Sequence, residues 1–276
     1  MSKIWLITGS SRGLGRALAE AALEAGDRVV GTARNPEQLD ELVTKYGDRM
    51  RAVPLDVTDA EAARIAVRTA VEEFGGLDVV ANNAGYANSA SIEEMSDDDF
   101  RAQLETNLFG VVNVTKAALP VFREQRSGHF LQFSSIGGRV GGTPGLGAYQ
   151  TAKFAVEGFS EVLNNEVRPF GVKVTIVEPG AFRTDWGGSS MQMHDVHPDY
   201  EATVGAMHRR RRETDGNEPG DPVKAAQAVL QVVALDTPPL RLLLGSDALA
   251  LAAAASTARA TEAEAWSTLT TSTDYS

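Results

Sequence analysis

The sequence contains no cysteine, which excludes disulfides, thiolate metal sites and any thiol nucleophile. Its four histidines, His129, His194, His197 and His208, show neither HxxxH nor HExxH spacing, so a zinc site has no support and no metal is expected. Long hydrophobic runs are missing too. The longest, "ALALAAAA" at 248–255, is far below the roughly 20 residues that span a bilayer. The N-terminal stretch "MSKIWLITGSS" turns polar after a short apolar run, too short for a signal-peptide core, and the reading is a cytoplasmic protein with no membrane partner. Positive charge is scarce: 26 Lys and Arg stand against 37 Asp and Glu, a net charge of −11. That balance opposes polyanions, and no nucleic-acid partner is expected. Only "HRRRR" at 208–212 runs the other way. It reads as a solvated helix or loop face, with an anionic substrate tail or a partner surface as the alternatives.

What is present is an ordinary globular composition, 276 residues that are 43% hydrophobic and 23% charged, enough for one large α/β domain or two small ones. Short apolar runs at 4–8, 28–32, 50–55, 77–81, 129–133, 173–177 and 240–244 read as strands. Between them lie amphipathic patterns such as "GRALAEAALEAG", "DAEAARIAVRTAVEEF" and "TAKFAVEGFSEVLNNEV", which read as helices. This alternation predicts an α/β fold, a doubly wound parallel sheet of about seven strands covered by helices on both faces. No Pro- or Ser-rich linker interrupts it before residue 180, so the chain reads as a single Rossmann-type domain over 1–276. Residues 185–222 read as a mobile substrate-binding insertion, and 246–276 as a helical tail with a frayed end and no visible chemistry.

In such sheets ligands bind outside the C-terminal strand ends. Thr8-Gly9, Ala33-Arg34, Asp56, "NNAG" (82–85), Ser134-Ser135 and Pro179-Gly180 all fall there. "TGSSRGLG" at 8–15 follows a strand and opens a helix, so its backbone can approach a pyrophosphate at the helix N-terminus. Its candidates are Gly9, Ser11, Arg12, Gly13, Leu14 and Gly15. The second strand runs into "TARN" with no carboxylate to repel a 2′-phosphate. A guanidinium from Arg12 or Arg34 can fork onto phosphate oxygens, and the reading is NADP in preference to NAD.

Together "TGSSRGLG", "NNAG", "SS", "YQTAK" and "EPGAFRTD" resemble the short-chain dehydrogenase/reductase family in its compact single-domain form. The resemblance implies a Rossmann-type domain, a nicotinamide cofactor and hydride transfer between that cofactor and a carbonyl or alcohol. On a helix, Tyr149 and Lys153 share a face, and a cation beside the phenol is expected to lower its pKa from near 10 and let it exchange a proton near neutrality. By resemblance, Lys153 also holds the nicotinamide ribose and Ser135 hydrogen-bonds the substrate oxygen, with Ser134 structural. Asn107 is an amide inside an apolar helix stripe; it is a kink or bridge, or a member of a proton relay to Lys153, and the two are compatible. The resemblance further assigns Asp56 and Val57 to the adenine, Asn83, Ala84 and Gly85 to the adenosine ribose, and Pro179, Gly180 and Thr184 to the nicotinamide amide and pyrophosphate.

The expected activity is therefore an NADP(H)-dependent carbonyl reductase acting on a small molecule. An NAD-retaining epimerase and a non-catalytic NADPH-binding regulator are the rivals. Phe182, Trp186, Met191 and Met193 either line an apolar pocket, suiting a lipophilic substrate, or pack a flap onto the core. A homodimer or homotetramer is implied by the resemblance alone.

Overall fold

The computed structural model describes residues 2–186 and 191–275. Among the described residues nine strands are formed: β1 (Ile4–Ile7), β2 (Arg28–Ala33), β3 (Met50–Pro54), β4 (Val79–Asn82), β5 (Ala87–Ser89), β6 (Gly128–Phe133), β7 (Val172–Pro179), β8 (Met191–Met193) and β9 (Arg241–Leu244). Seven of them make one parallel sheet in the order β3-β2-β1-β4-β6-β7-β9. Each matches a run predicted from sequence, within a residue or two at its ends. The missed pair, β5 and β8, forms a small parallel ribbon of its own.

The helices are α1 (Gly13–Glu24), α2 (Asp40–Tyr46), α3 (Ala60–Phe74), α4 (Asp97–Leu104), α5 (Gly110–Gln125), α6 (Ile136–Arg139), α7 (Gly147–Val167), α8 (Ala206–Thr214), α9 (Pro222–Val233), α10 (Ser246–Ala265) and α11 (Ser267–Thr271). Local chemistry fixes their ends. Asp59 Oδ1 accepts from the amides of Glu61 at 2.8 Å and Ala62 at 3.1 Å to start α3, and Gly75 ends it in the left-handed conformation. These are the N-cap and C-cap devices expected of a short-looped α/β unit.

Along β1 the side chains alternate. Ile4 and Leu6 join an apolar layer with residues of α3, α5 and α7, and Trp5 and Ile7 join the opposite layer with α1, α2 and α9. A strand buried on both faces has no polar side, which is why "IWLI" is uniformly apolar. The strand order reverses between β1 and β4, and doubly wound sheets open their ligand crevice at that point. Residues 185–222, read above as a mobile substrate-binding insertion, contain β8, turns over 198–205 and α8, with 187–190 lying outside the described residues.

Candidate functional site

The crevice at the switch point is a cleft of about 780 Å³. Of the sequence-predicted site residues, all but Gly15 line it. Gly15 sits beneath the loop instead: a Cβ there would collide with the carbonyl oxygen of Gly9 and with the Asn83 amide. Its role is close packing of α1 under the loop. Gly9 holds φ +66°, and a side chain would meet the Ala84 backbone at 2.9 Å, so both its conformation and its surroundings demand glycine.

The loop is clamped from the side. The buried Thr8 hydroxyl accepts from the amides of Asn83 and Ala84, each at 3.0 Å, and Asn83 Nδ2 donates to the carbonyls of Thr8 at 3.0 Å and Gly9 at 3.2 Å. Asn82 turns the other way, into a buried network with Thr115 and Gln132. The amides opening α1 have no such partner: Arg12, at the N-cap, makes no capping hydrogen bond, and no acidic residue occupies the first turn. Unsatisfied N–H groups and the positive helix end are what a pyrophosphate requires. The residues present thus fit a dinucleotide.

At the far end of that dinucleotide track, Arg34 extends from the end of β2 and Arg12 from the loop, both exposed and both on the cleft. Arg16, by contrast, is taken up by Glu20 and Glu41. Asp56 accepts the amide of Thr58 at 3.0 Å and its hydroxyl at 2.8 Å through one oxygen. It does not cap α3, a task performed by Asp59. Thr184 packs over Gly13, and its hydroxyl accepts from the Trp186 amide at 3.3 Å.

The four candidate chemical residues converge in the middle of the cleft. Tyr149 and Lys153 lie on the first turns of α7, both buried. Ser135 caps α6, its hydroxyl accepting from the Gly137 amide at 3.0 Å. Asn107 lies at the centre of a widened π turn, residues 105–109, joining α4 to α5. Its Nδ2 donates to the carbonyls of Tyr86 at 2.8 Å and Gln103 at 2.9 Å, and its Oδ1 accepts from the Tyr86 amide at 3.2 Å. The bridging role read from sequence is therefore present, and the kink has a cause.

One expectation is corrected. Lys153 was expected to depress the Tyr149 phenol, but its Nζ donates to the Phe133 carbonyl at 2.7 Å and lies 5.7 Å from the tyrosine ring centroid. Burial dominates both groups. It pushes the phenol up to about 12 and pulls the ammonium down to about 8, with Glu157 opposing the latter, because desolvation disfavours whichever form is charged. What favours the phenolate is the Ser135 hydroxyl and then the Arg211 guanidinium.

The apolar residues divide. Met191 and Met193 pack with Ala87, Leu146 and Tyr149 in a small cluster, holding the β5–β8 ribbon over α7. Phe182 and Trp186 line the cleft, and the Trp186 ring lies 5.2 Å from that of Tyr149. Sequence reasoning missed Asp247, whose Oδ2 accepts from the Ala181 amide at 2.8 Å and so braces the loop after β7; the tail was read as free of chemistry. It also missed Met207 and Thr214 of α8 on the cleft wall, where they flank Arg211 of the basic run for which a substrate tail was the alternative reading. With Arg211, their i, i+4, i+7 spacing was the available signal.

No group of three or more His, Asp or Glu side chains among the described residues could hold a metal. No described helix is long and apolar enough to cross a membrane.

A strand–loop–helix that leaves its first amides free, opening onto a buried tyrosine and lysine, defines a nucleotide-dependent oxidoreductase of Rossmann type. The comparisons agree: the chain matches the short chain dehydrogenase family over residues 3–195, and it belongs to that family, whose members transfer hydride between NAD(P) and alcohol or carbonyl groups. It is 55% identical over 267 residues to oxidoreductase BOA17 of Botryotinia fuckeliana, covering 96% of this chain and 97% of that protein. Among solved structures, a short-chain dehydrogenase from Streptomyces avermitilis is 41% identical, with full coverage of both chains and a TM-score of 0.93. A short chain dehydrogenase/reductase from Burkholderia phymatum, in complex with NAD, is 22% identical with coverage of 91% and 92% and a TM-score of 0.80. A serine dehydrogenase complexed with NADP+ is 26% identical with coverage of 87% and 94% and a TM-score of 0.75.

Proposed function

We propose that this protein is an NADP(H)-dependent carbonyl reductase, one domain from end to end, in which Tyr149 gives the proton to the substrate oxygen. Bound nicotinamide nucleotide supplies the hydride. The observation that carries the reading is the placement of Tyr149, Ser135 and Lys153 on the same cleft as the uncapped N-terminus of α1.

Ser135 orients the substrate oxygen and donates to it as charge develops there, which is the largest single lever available to such a site. Tyr149 is protonated through neutral pH because burial holds its pKa high, so it enters reduction as a ready acid. Lys153, fixed by the Phe133 carbonyl, has two remaining N–H donors for the nicotinamide ribose. Asn107 holds the Tyr86 backbone that walls the same space and is the member that holds a water in a proton relay to Lys153. Asp56 and Val57 take the adenine, Asn83, Ala84 and Gly85 its ribose, and Pro179, Gly180 and Thr184 the nicotinamide side.

The preference for NADP rests on Arg12 and Arg34, two exposed guanidinium groups beside a strand end with no acid. Phe182, Trp186 and Met207 suit an apolar body on the substrate. Exposed Phe154 and Val162 on α7 and Phe109 beside α5 favour pairing of two copies across those helices.

The test is consumption of NADPH and of NADH by purified protein across ketones, aldehydes and quinones. NADPH turnover well above NADH is expected, with about a tenfold fall in that preference when either Arg12 or Arg34 becomes Ala, the worth of one charged hydrogen bond. Equal use of both nucleotides, unchanged by the substitutions, contradicts the assignment.

A further inference from the structure

The basic run "HRRRR" does not present one solvated face. Arg209 pairs with Glu201, and Arg212 reaches toward Met193 at the surface. Met207, Arg210, Arg211 and Thr214 lie at i, i+3, i+4 and i+7 and line the cleft. One face of α8 is thus a wall of the substrate end.

Arg211 is the unusual member. Its guanidinium sits 5.5 Å from the Trp186 ring centroid, and Nη1 lies 3.1 Å from the Met191 thioether sulfur. Its Nε is sealed from solvent without an acceptor, so it is the Nη end that Arg211 offers to the cleft. The acids on the same cleft, Asp56, Asp185, Glu218 and Asp247, are not among the groups acting on it; burial and Tyr149 are. An arginine has five N–H donors and keeps its charge in proteins. A part-buried cation without an anion carries a desolvation cost, and an indole face and a thioether offset only part of that. The missing partner is an anion from outside the chain.

We propose that Arg211 binds the carboxylate of the substrate, and that the substrate is an oxo acid: a ketone or aldehyde joined to a carboxylate by a short apolar spacer. The proposal rests on the reading of Tyr149 as the proton donor. Trp186 neighbours both groups, 5.5 Å from the guanidinium and 5.2 Å from the tyrosine ring, so the two can be no further apart than those spans together, which bounds the spacer to a few carbons or one aromatic ring. With Arg210 exposed and Arg211 the one part-buried guanidinium of α8 on the cleft, the match is to a planar monoanion, fork to fork and charge for charge, whereas a phosphate dianion would remain half neutralised. The indole and Phe182, both on the cleft, suit the spacer.

The experiment separates binding from turnover. Calorimetry on the full chain saturated with NADP+, a combination that cannot reduce a ketone, compares para-acetylbenzoate, its methyl ester and para-acetylphenyl phosphate. Wild type is expected to bind the acid about 30-fold or more tighter than the ester, the worth of a buried charge pair, and tighter than the phosphate. Arg211→Met removes that preference and Arg211→Lys keeps part of it. Acid and ester bound alike, a preference that survives Arg211→Met, or the phosphate bound best overturns the proposal. Should Arg211→Met not fold, the wild-type comparison alone decides. NADPH oxidation on the same compounds is read separately. Arg211-dependent acid binding without turnover counts against the reductase reading and not the subsite, and turnover without acid preference does the reverse.

Discussion

The two ends of the cleft differ in how far the protein satisfies its own polar groups. At the nucleotide end, Thr8, Asn83 and Asn107 spend their hydrogen-bonding capacity on backbone of neighbouring loops, so the frame is set before a ligand arrives. At the substrate end, Arg211 has a buried nitrogen with no acceptor and no neutralising acid. The first end is a preorganised cradle; the second is completed by what binds there. Preorganisation lowers the ordering cost of binding, and an unsatisfied buried group selects for the ligand that satisfies it.

That contrast breaks most sharply at Lys153, which belongs to both ends. Lys153→Met removes the donor fixed on the Phe133 carbonyl and the cation we propose holds the nicotinamide ribose. We expect kcat/KM to fall about 10²- to 10⁴-fold, the range of a lost acid–base group, with weaker nucleotide binding by fluorescence titration. A change in only one of these quantities would assign the lysine to one end alone. Next in size is the clamp. Thr8→Val leaves the amides of Asn83 and Ala84 without their acceptor, at about 1–3 kcal/mol for each N–H left dry. Urea unfolding should show that loss along with weaker nucleotide binding. Unchanged stability would mean the loop is not held by this hydroxyl.

The smallest effect concerns pH. With the phenol raised to about 12, Tyr149 is protonated from pH 7 to 10, so reduction should be flat across that window. Oxidation of an alcohol needs the phenolate, so its rate should rise with pH throughout. Because the Arg211 guanidinium favours the phenolate, Arg211→Met should move this rise to higher pH. Oxidation that slows between pH 7 and 9 would contradict the assignment of the base.

Much of this was legible in the sequence because strand and helix periods are set by burial. All seven strands of the large sheet carry apolar runs, and the sheet rule then carries the motifs after them to one edge. Three features were not legible. The β5–β8 ribbon has three residues in each strand, too few to show alternation. The direction of Lys153 depends on a carbonyl 20 residues away, and helical spacing to Tyr149 says nothing of that competitor. Arg211 stands in a run of four arginines whose members diverge by tertiary packing: Glu201 draws out Arg209, while Trp186 and Met191 receive Arg211. Composition put a solvated face ahead of a substrate tail for the whole run, and its helical geometry divides it.

The central claim is that Tyr149 delivers the proton in a cleft already shaped for the nucleotide, and Tyr149→Phe tests it most directly. The substitution removes one oxygen and keeps the ring against Trp186. The measurement is single-turnover NADPH oxidation beside the nucleotide Kd. The account predicts a loss of about 10²- to 10⁴-fold in rate with the Kd unchanged. Turnover at the wild-type rate would contradict it.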